Sequence, residues 1–182
     1  LTTRGWIYAC GTGHSHLLAE EIFYRAGGFA RVRPLLLPQL MLHESATGST
    51  DEERKVFYTS LYHTQIDPRV FEDVDGNYRG LDQNIHQSDG FENYSIFSLW
   101  DTYRALHPLY NLIQPKRNND MVHSMLAHYD QSVHHALPIW SHYNNENWCM
   151  IGYHSVSVIA DALAKKTTNV NPDRALEACV NS

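Results

Sequence analysis

A single carboxylate stands among aromatic residues in the last quarter of the sequence. Glu146 lies in the run NENWCMIGYH (145–154), with Trp148 after it and Trp140 before it. Partial shielding from water disfavours the charged form of a carboxyl group, which suits such a group to donate a proton near neutral pH. Aromatic faces beside an acid also suit the binding of a sugar. The alternative is a solvated glutamate in a turn before a helix.

A glycine turn near the N-terminus is a second candidate site. The run GWIYAC (5–10) predicts a buried strand, and LLAEEIFYRAGG (17–28) predicts a helix that ends in glycines. The turn between them presents polar and glycine residues, which could bind a phosphate through backbone N–H groups and hydroxyls. An ordinary turn between a strand and a helix is the alternative, because a short glycine motif is not specific. The candidate phosphate-binding residues are Gly11, Thr12, Gly13 and Ser15.

The residues that could bind metals or form disulfides show no recognisable spacing. The three cysteines, Cys10, Cys149 and Cys179, are far apart and odd in number, so no disulfide framework is predicted. The stretch DVDGNYRG (73–80) contains two aspartates and a glycine but falls short of an EF-hand loop. It predicts a structural turn instead.

Composition limits the class of protein. Hydrophobic residues make up 43% of the 182 residues and charged residues 19%, which is typical of a globular chain. The net charge of −6 disfavours binding to nucleic acid. No apolar run is long enough to cross a bilayer, so no membrane association is expected.

The periodicity after residue 50 predicts a mainly α fold, with helices in series joined by loops of unequal length. Thr50 and Glu53 form a predicted capping box, and the helix that they start should end before Pro68. The polar stretch 67–95 predicts a long loop without elements. Further helices are predicted from Leu99 to Ile113 with Ser98 as the cap, from Pro115 through Val122, Leu126 and Tyr129, around Val156, Ile159 and Leu163, and from Asn171 through Ala178.

Four blocks of the sequence, in order, resemble family 92 of the glycoside hydrolases, the exo-acting alpha-mannosidases. The resemblance runs from about Asp51 to Ser182 and includes NENWCMIGYH. The other three blocks are FYTSLYHT (57–64), DVDGNYRG (73–80) and SIFSLWDTYRALHPL (95–109). The resemblance implies a barrel of paired helices, so we expect a partial (α/α) toroid here, preceded by a short βα segment.

The resemblance also implies a calcium-dependent enzyme that acts on mannosides or glycans and inverts configuration. It places Glu146 at the general acid, and Trp100 and Asp101 at the subsite that holds the mannose ring. His154 could donate to a sugar hydroxyl or could be a packed histidine. The calcium ligands are unknown. An inverting enzyme also needs a base, which the family carries in a later Gly- and Asp-rich block. We therefore expect negligible mannosidase activity from these 182 residues alone.

The first part of the chain resembles a different family. The run GTGHSHLLAEEIFYRAGG (11–28), with Pro38 and LMLHE (40–44) after it, resembles the SIS phosphosugar-binding proteins over residues 1–46. We therefore expect an SIS-like segment at 1–46, a junction at 47–50 and a mannosidase-like helical domain at 51–182, as in a chimera. The alternative function is phosphosugar binding. The mannosidase resemblance implies a secreted or periplasmic protein and the SIS resemblance a cytoplasmic one, and exposed helix faces could support an oligomer.

Overall fold

The computed structural model describes residues 50–182, and the chain divides into two compact units between Asp67 and Pro68. Helix α1, Asp51–Thr64, belongs to the first unit. The predicted capping box is confirmed, because Thr50 Oγ1 accepts from the Glu53 backbone N–H at 3.2 Å and the Glu53 carboxylate accepts from the Thr50 N–H at 2.8 Å. The strand, turn and helix predicted for residues 1–46 lie outside the described residues.

The second unit is mainly helical, with small sheets between the helices. Its helices are α2 (Leu99–Thr102), α3 (Leu106–Ile113), α4 (Pro115–Gln131), α5 (His154–Ala164) and α6 (Pro172–Asn181). Its strands are β1 (Arg69–Val70), β2 (Asn77–Arg79), β3 (Ile85–Gln87), β4 (Tyr94–Ser95), β5 (Ser141–His142) and β6 (Asn145–Glu146). They form three antiparallel pairs: β1 with β4, β2 with β3, and β5 with β6.

Helix α4 forms the centre of the core. It packs against α3, α5, α6 and β4, and Met121, Val122 and Met125 are fully buried on it. The predicted start at Pro115 is confirmed: this residue stands in the first turn, where a missing N–H costs little. The predicted helix after Asn171 is also confirmed, and the Asn171 side chain accepts from the first backbone N–H groups of α6.

A chain of polar side chains joins three of these helices inside the core. His107 of α3 contacts Asn118 of α4 through Nδ1 at 2.9 Å, and Asn118 donates to Asn111 at 2.7 Å. Asn111 in turn donates to Asp161 of α5 at 2.8 Å. These hydrogen bonds compensate for taking polar groups out of water, and they fix the relative positions of α3, α4 and α5.

Two of the predicted elements are wrong. The stretch 67–95 contains β1 to β4, whose two or three residues each are too short to show an alternating pattern in the sequence. The helix predicted from Leu99 to Ile113 is broken into α2 and α3. Pro108 accounts for the break, because in a continuous helix its ring would clash with the carbonyl of residue 104. Ser98 Oγ does not cap α2 as predicted, and donates to the Asp101 carboxylate instead.

Among the described helices, none combines the length and the apolar character needed to cross a bilayer.

Candidate functional site

The β5–β6 hairpin holds the carboxylate of Glu146 in a fixed orientation. Glu146 Oε1 accepts from the backbone N–H groups of Trp140 at 2.9 Å and Trp148 at 3.1 Å. Glu146 Oε2 accepts from the N–H of Ile139 at 3.0 Å. Only 4% of the side chain is exposed. Three backbone donors on a buried carboxylate leave it little freedom to rotate, so Glu146 is a preoriented group.

His128 lies beside this carboxylate and was not identified from the sequence. Its Nε2 is 3.6 Å from Glu146 Oε2, which is too long for a hydrogen bond. Burial lowers the pKa of His128 to about 3, so the ring is neutral at pH 7 and the contact is not an ion pair. His128 also lines a small cleft together with Phe97, Gln131 and Tyr143. The only sequence signal was its place on the buried face of α4.

Three aromatic rings, from α2, the residue after α2 and the start of α5, come together. The imidazole of His154 stacks on Tyr103, with ring centroids 4.0 Å apart and planes 8° apart. The indole of Trp100 meets the same imidazole edge-on at 5.3 Å. Among the described residues, His154 Nε2 is buried and has no hydrogen-bond partner. A buried nitrogen without a partner is costly, and a ligand hydroxyl would remove that cost.

The backbone around Gly152 shapes this ring cluster. Gly152 has φ +112°, and a Cβ at this position would lie 2.8 Å from Cδ2 and Cε1 of His154. Only glycine leaves room for the imidazole to fold back over the chain here. Sequence reasoning did not identify Gly152, because the contact depends on the rotamer of His154.

Asp101 stands on the exposed side of α2. Asp101 is exposed to solvent, and its carboxylate accepts a hydrogen bond from Ser98 Oγ at 2.5 Å. It follows Trp100 directly, so the indole and the carboxylate project from the same short helix.

The segment 138–141 connects Glu146 to the aromatic cluster. Pro138 O accepts from Ser155 Oγ at 2.6 Å, next to His154. Ile139 O accepts from the N–H of Leu99 at 3.3 Å, next to Trp100. The N–H groups of Ile139 and Trp140 hold Glu146, as described above. The sequence-predicted residues Trp100 and His154 contact each other through their rings. The segment 138–141 links Glu146 to the chain neighbours of both, Leu99 and Ser155.

Two aspartates of the 67–95 stretch, Asp75 and Asp82, stabilise turns. The Asp75 carboxylate accepts from the backbone and the side chain of Asn77, and Asp82 accepts in the same way from Asn84. His86 also contacts Asp82 at 2.9 Å. The turn predicted for DVDGNYRG is confirmed at its start, where the Gly76 N–H donates to Asp73 O at 2.9 Å, but β2 occupies residues 77–79 of the run. Within residues 50–182, no three His, Cys, Asp or Glu side chains are grouped so that they could hold a metal ion.

The alternative site falls on Gly11, Thr12, Gly13 and Ser15, which lie outside the described residues. Comparison with known proteins does bear on this part of the chain. Residues 1–69 match the sequence model of the SIS domain. A UPF0309 protein of Listeria monocytogenes is 49% identical over 65 residues, which are 36% of this chain and 26% of that protein. A UPF0309 protein of Halalkalibacterium halodurans is 56% identical over 50 residues, 28% of this chain and 21% of that protein.

The larger part of the chain has other relatives. A family 92 alpha-mannosidase of Bacteroides thetaiotaomicron, solved in complex with mannoimidazole, is 50% identical with a TM-score of 0.76 over 80% of this chain and 19% of that chain. A second structure of the same enzyme is 48% identical with a TM-score of 0.78, over 90% of this chain and 21% of that chain. A family 92 inverting mannosidase from the same organism is 30% identical with a TM-score of 0.70, over 93% of this chain and 21% of that chain.

The chain spans about a fifth of the length of these mannosidases and about a quarter of that of the UPF0309 proteins. Residues 40–182 match the sequence model of the glycosyl hydrolase family 92 catalytic domain. That match covers well over half of the chain, and the structural similarity agrees with it. The chain therefore belongs to glycoside hydrolase family 92.

Proposed function

We propose that residues 51–182 supply the proton donor and part of the mannose-binding subsite of an inverting exo-alpha-mannosidase. In this proposal Glu146 is the general acid, and Trp100, Asp101 and His154 bind the mannose ring. The helices of the second unit would form one part of an (α/α) toroid. The substrate would be a mannoside or a glycan that ends in mannose.

One observation carries the proposal. The segment 138–141 fixes the Glu146 carboxylate through two N–H groups and, through its carbonyls, contacts the residues that adjoin Trp100 and His154. A sugar-cleaving site needs an acid and a ring-binding surface at a fixed separation, because a small displacement of either lowers the rate strongly. Short backbone links of this kind provide that rigidity.

The four proposed side chains have different chemical roles. A protonated Glu146 would transfer its proton to the glycosidic oxygen as the bond to the leaving group breaks. The indole of Trp100 would cover the apolar face of the pyranose, and the exposed Asp101 carboxylate would accept from its hydroxyls. His154 Nε2, buried without a partner among the described residues, would pair with one further hydroxyl.

The base and the calcium ion are not assigned. Inversion requires a second carboxylate that activates water, and no residue of 51–182 is placed in that role here. The described residues contain no cluster of acidic, histidine or cysteine side chains that fits an ion. No step of the proposed chemistry therefore passes through calcium, and its requirement stays a prediction from the family.

Calorimetric titration with mannoimidazole tests the proposal, since the Bacteroides thetaiotaomicron relative was solved with this ligand. The purified chain should bind it, and Asp101→Asn and Trp100→Ala should each weaken binding while leaving the circular dichroism spectrum unchanged. Titrations with added calcium and with a chelator would measure the calcium dependence. Absence of binding in both conditions, from a chain that is folded, would contradict the proposal.

A second candidate function is phosphosugar binding by the N-terminal part of the chain. It is favoured by the match of residues 1–69 to the SIS domain and by the UPF0309 relatives. Glucosamine-6-phosphate is a suitable probe, and its binding should be indifferent to calcium. Substitution of Ser15 by Ala should weaken that binding if the glycine turn is the site, and should leave mannoimidazole binding unchanged.

A further inference from the structure

Trp148 combines direct contact with Glu146 and wide exposure to solvent. Its backbone N–H donates to Glu146 Oε1 at 3.1 Å, so the residue adjoins the carboxylate. Nevertheless 49% of the residue is exposed. The ring of His134 meets the indole in a T-shaped contact, with centroids 5.3 Å apart and planes 80° apart. The backbone of Trp148 is thus fixed by the carboxylate, and its large apolar ring contacts His134 while much of the residue faces solvent.

The backbone that presents this ring is strained. Trp148 has φ +53° and Met150 has φ +67°, both in the left-handed region that bulky residues rarely adopt. Strain of this kind persists where the surrounding structure imposes it, and it collects at binding sites. Here it allows the Trp148 N–H to point at Glu146 although the indole remains exposed.

The position of Trp148 determines which part of a substrate it could meet. A general acid touches the glycosidic oxygen, so the mannose ring lies on one side of it and the leaving group on the other. The rings of Trp100 and His154 are already assigned to mannose. Trp148 follows the acid by two residues, and its ring contacts His134, outside the Trp100–His154 cluster. This exposed ring is therefore available to the leaving group.

We propose that Trp148 is a stacking platform for a sugar ring in the leaving-group position. This inference rests on the proposed function of Glu146. It adds a residue that would distinguish mannose linked to a second pyranose from mannosides of small alkyl alcohols. The stacking would involve the flat indole face and the C–H groups of the second sugar.

Calorimetry with two ligands tests the inference. Methyl alpha-mannoside reports on the mannose subsite alone, whereas an alpha-linked mannobiose also fills the leaving-group position. The wild-type chain should bind mannobiose about two- to tenfold more tightly than methyl alpha-mannoside, which is the range expected for one aromatic contact. Trp148→Ala should abolish this preference without changing the affinity for methyl alpha-mannoside. Trp148→Phe, which keeps a flat face, should retain most of it.

Tyr143 offers a matched control on the same hairpin. It is 52% exposed and has φ +55°, but it lies in the turn between β5 and β6 and its ring contacts Phe71. Tyr143→Ala should therefore leave the mannobiose preference unchanged.

Three outcomes would overturn the inference. The wild type could bind both sugars equally, or Trp148→Ala could weaken both equally; in either case the mannose subsite and the proposed function would stand. Failure of the wild type to bind either sugar would overturn the proposed function as well.

Discussion

At the residue scale, the candidate site depends on side chains held by contacts that are distant in sequence. Trp100 was placed in the site by resemblance to a family, and His154 was a candidate that could equally be a packed histidine. Their ring contact is a finding of the structure. Periodicity could not have given that contact, since it reports only on neighbours along one helix or strand. His128 and Gly152 were not predicted, because one is an ordinary buried position of α4 and the other follows from a rotamer.

A substitution at Gly152 tests how closely the backbone and the His154 ring are matched. Gly152→Ala should destabilise the chain by about 2–4 kcal/mol, since the positive φ and the overlap with the imidazole both oppose it. It should also weaken mannoimidazole binding. Urea unfolding gives the free energy of unfolding for the comparison.

Gly90→Ala is the control for backbone strain alone. Gly90 has φ +78°, and no described atom lies within 4 Å of a Cβ built there. Gly90→Ala should lower the free energy of unfolding by about 1 kcal/mol. If the two substitutions lowered the free energy of unfolding equally, the contact between residue 152 and His154 would not contribute to stability.

At the scale of elements, the longer helices were predictable and the short ones were not. Helix α4 was found from its buried stripe and its first-turn proline, and α6 from its asparagine cap. The break before Pro108 and the strands of two or three residues were missed. Short strands carry too little pattern to be recognised, and their pairing depends on partners as distant as β1 and β4.

The polar network between α3, α4 and α5 predicts a loss of stability in acid. Burial lowers the pKa of His107 to about 4, below the usual value near 6.5 that it regains on unfolding. The unfolded chain therefore binds the proton first, and stability falls as the pH drops from about 6.5 towards 4. Burial lowers the pKa of His128 to about 3, so this residue also makes the folded chain less stable as the pH falls below about 6.5.

Urea unfolding at pH 7 and pH 5 measures this effect. Each of the two histidines should contribute a loss of about 2 kcal/mol in the free energy of unfolding over this interval. His107→Gln should lower the total loss by that amount, because glutamine does not titrate. An identical loss in the variant and the wild type would refute the assignment to His107.

The link between α5 and the segment 138–141 can be tested at Ser155. Its buried hydroxyl donates to Pro138 O at 2.6 Å. Ser155→Ala should reduce the free energy of unfolding by about 1 kcal/mol and weaken mannoimidazole binding, because His154 would be less firmly placed. Ser157, exposed on the same helix, is the control. If Ser157→Ala and Ser155→Ala behaved alike, the link would not be what positions the site.

At the scale of the whole molecule, membership in family 92 and a second match at the N-terminus coexist in one chain. The two sequence models overlap between residues 40 and 69. The mannosidase match covers the mainly helical second unit that contains Glu146, Trp100, Asp101 and His154. The candidate functions can therefore be separated by ligand.

The 182-residue chain should release negligible mannose from alpha-mannosides. The proposed site has a proton donor, Glu146, and no base is proposed among residues 50–182, whereas an inverting reaction needs both. Incubation of the purified chain with mannobiose, followed by quantification of free mannose, measures this. Release above background that Glu146→Gln abolishes would contradict the prediction and would reveal a base within these residues.

The most direct test of the mannose subsite is a titration with mannoimidazole followed by ¹⁵N NMR of the histidine rings. His154 Nε2 is buried and has no hydrogen-bond partner among the described residues, so a ligand hydroxyl that pairs with it should shift its resonance strongly. The spectrum of His154→Gln identifies the signal. We predict a saturable shift at His154, together with smaller changes at rings far from the site. An unchanged His154 signal at ligand concentrations that saturate the chain would contradict the proposed subsite.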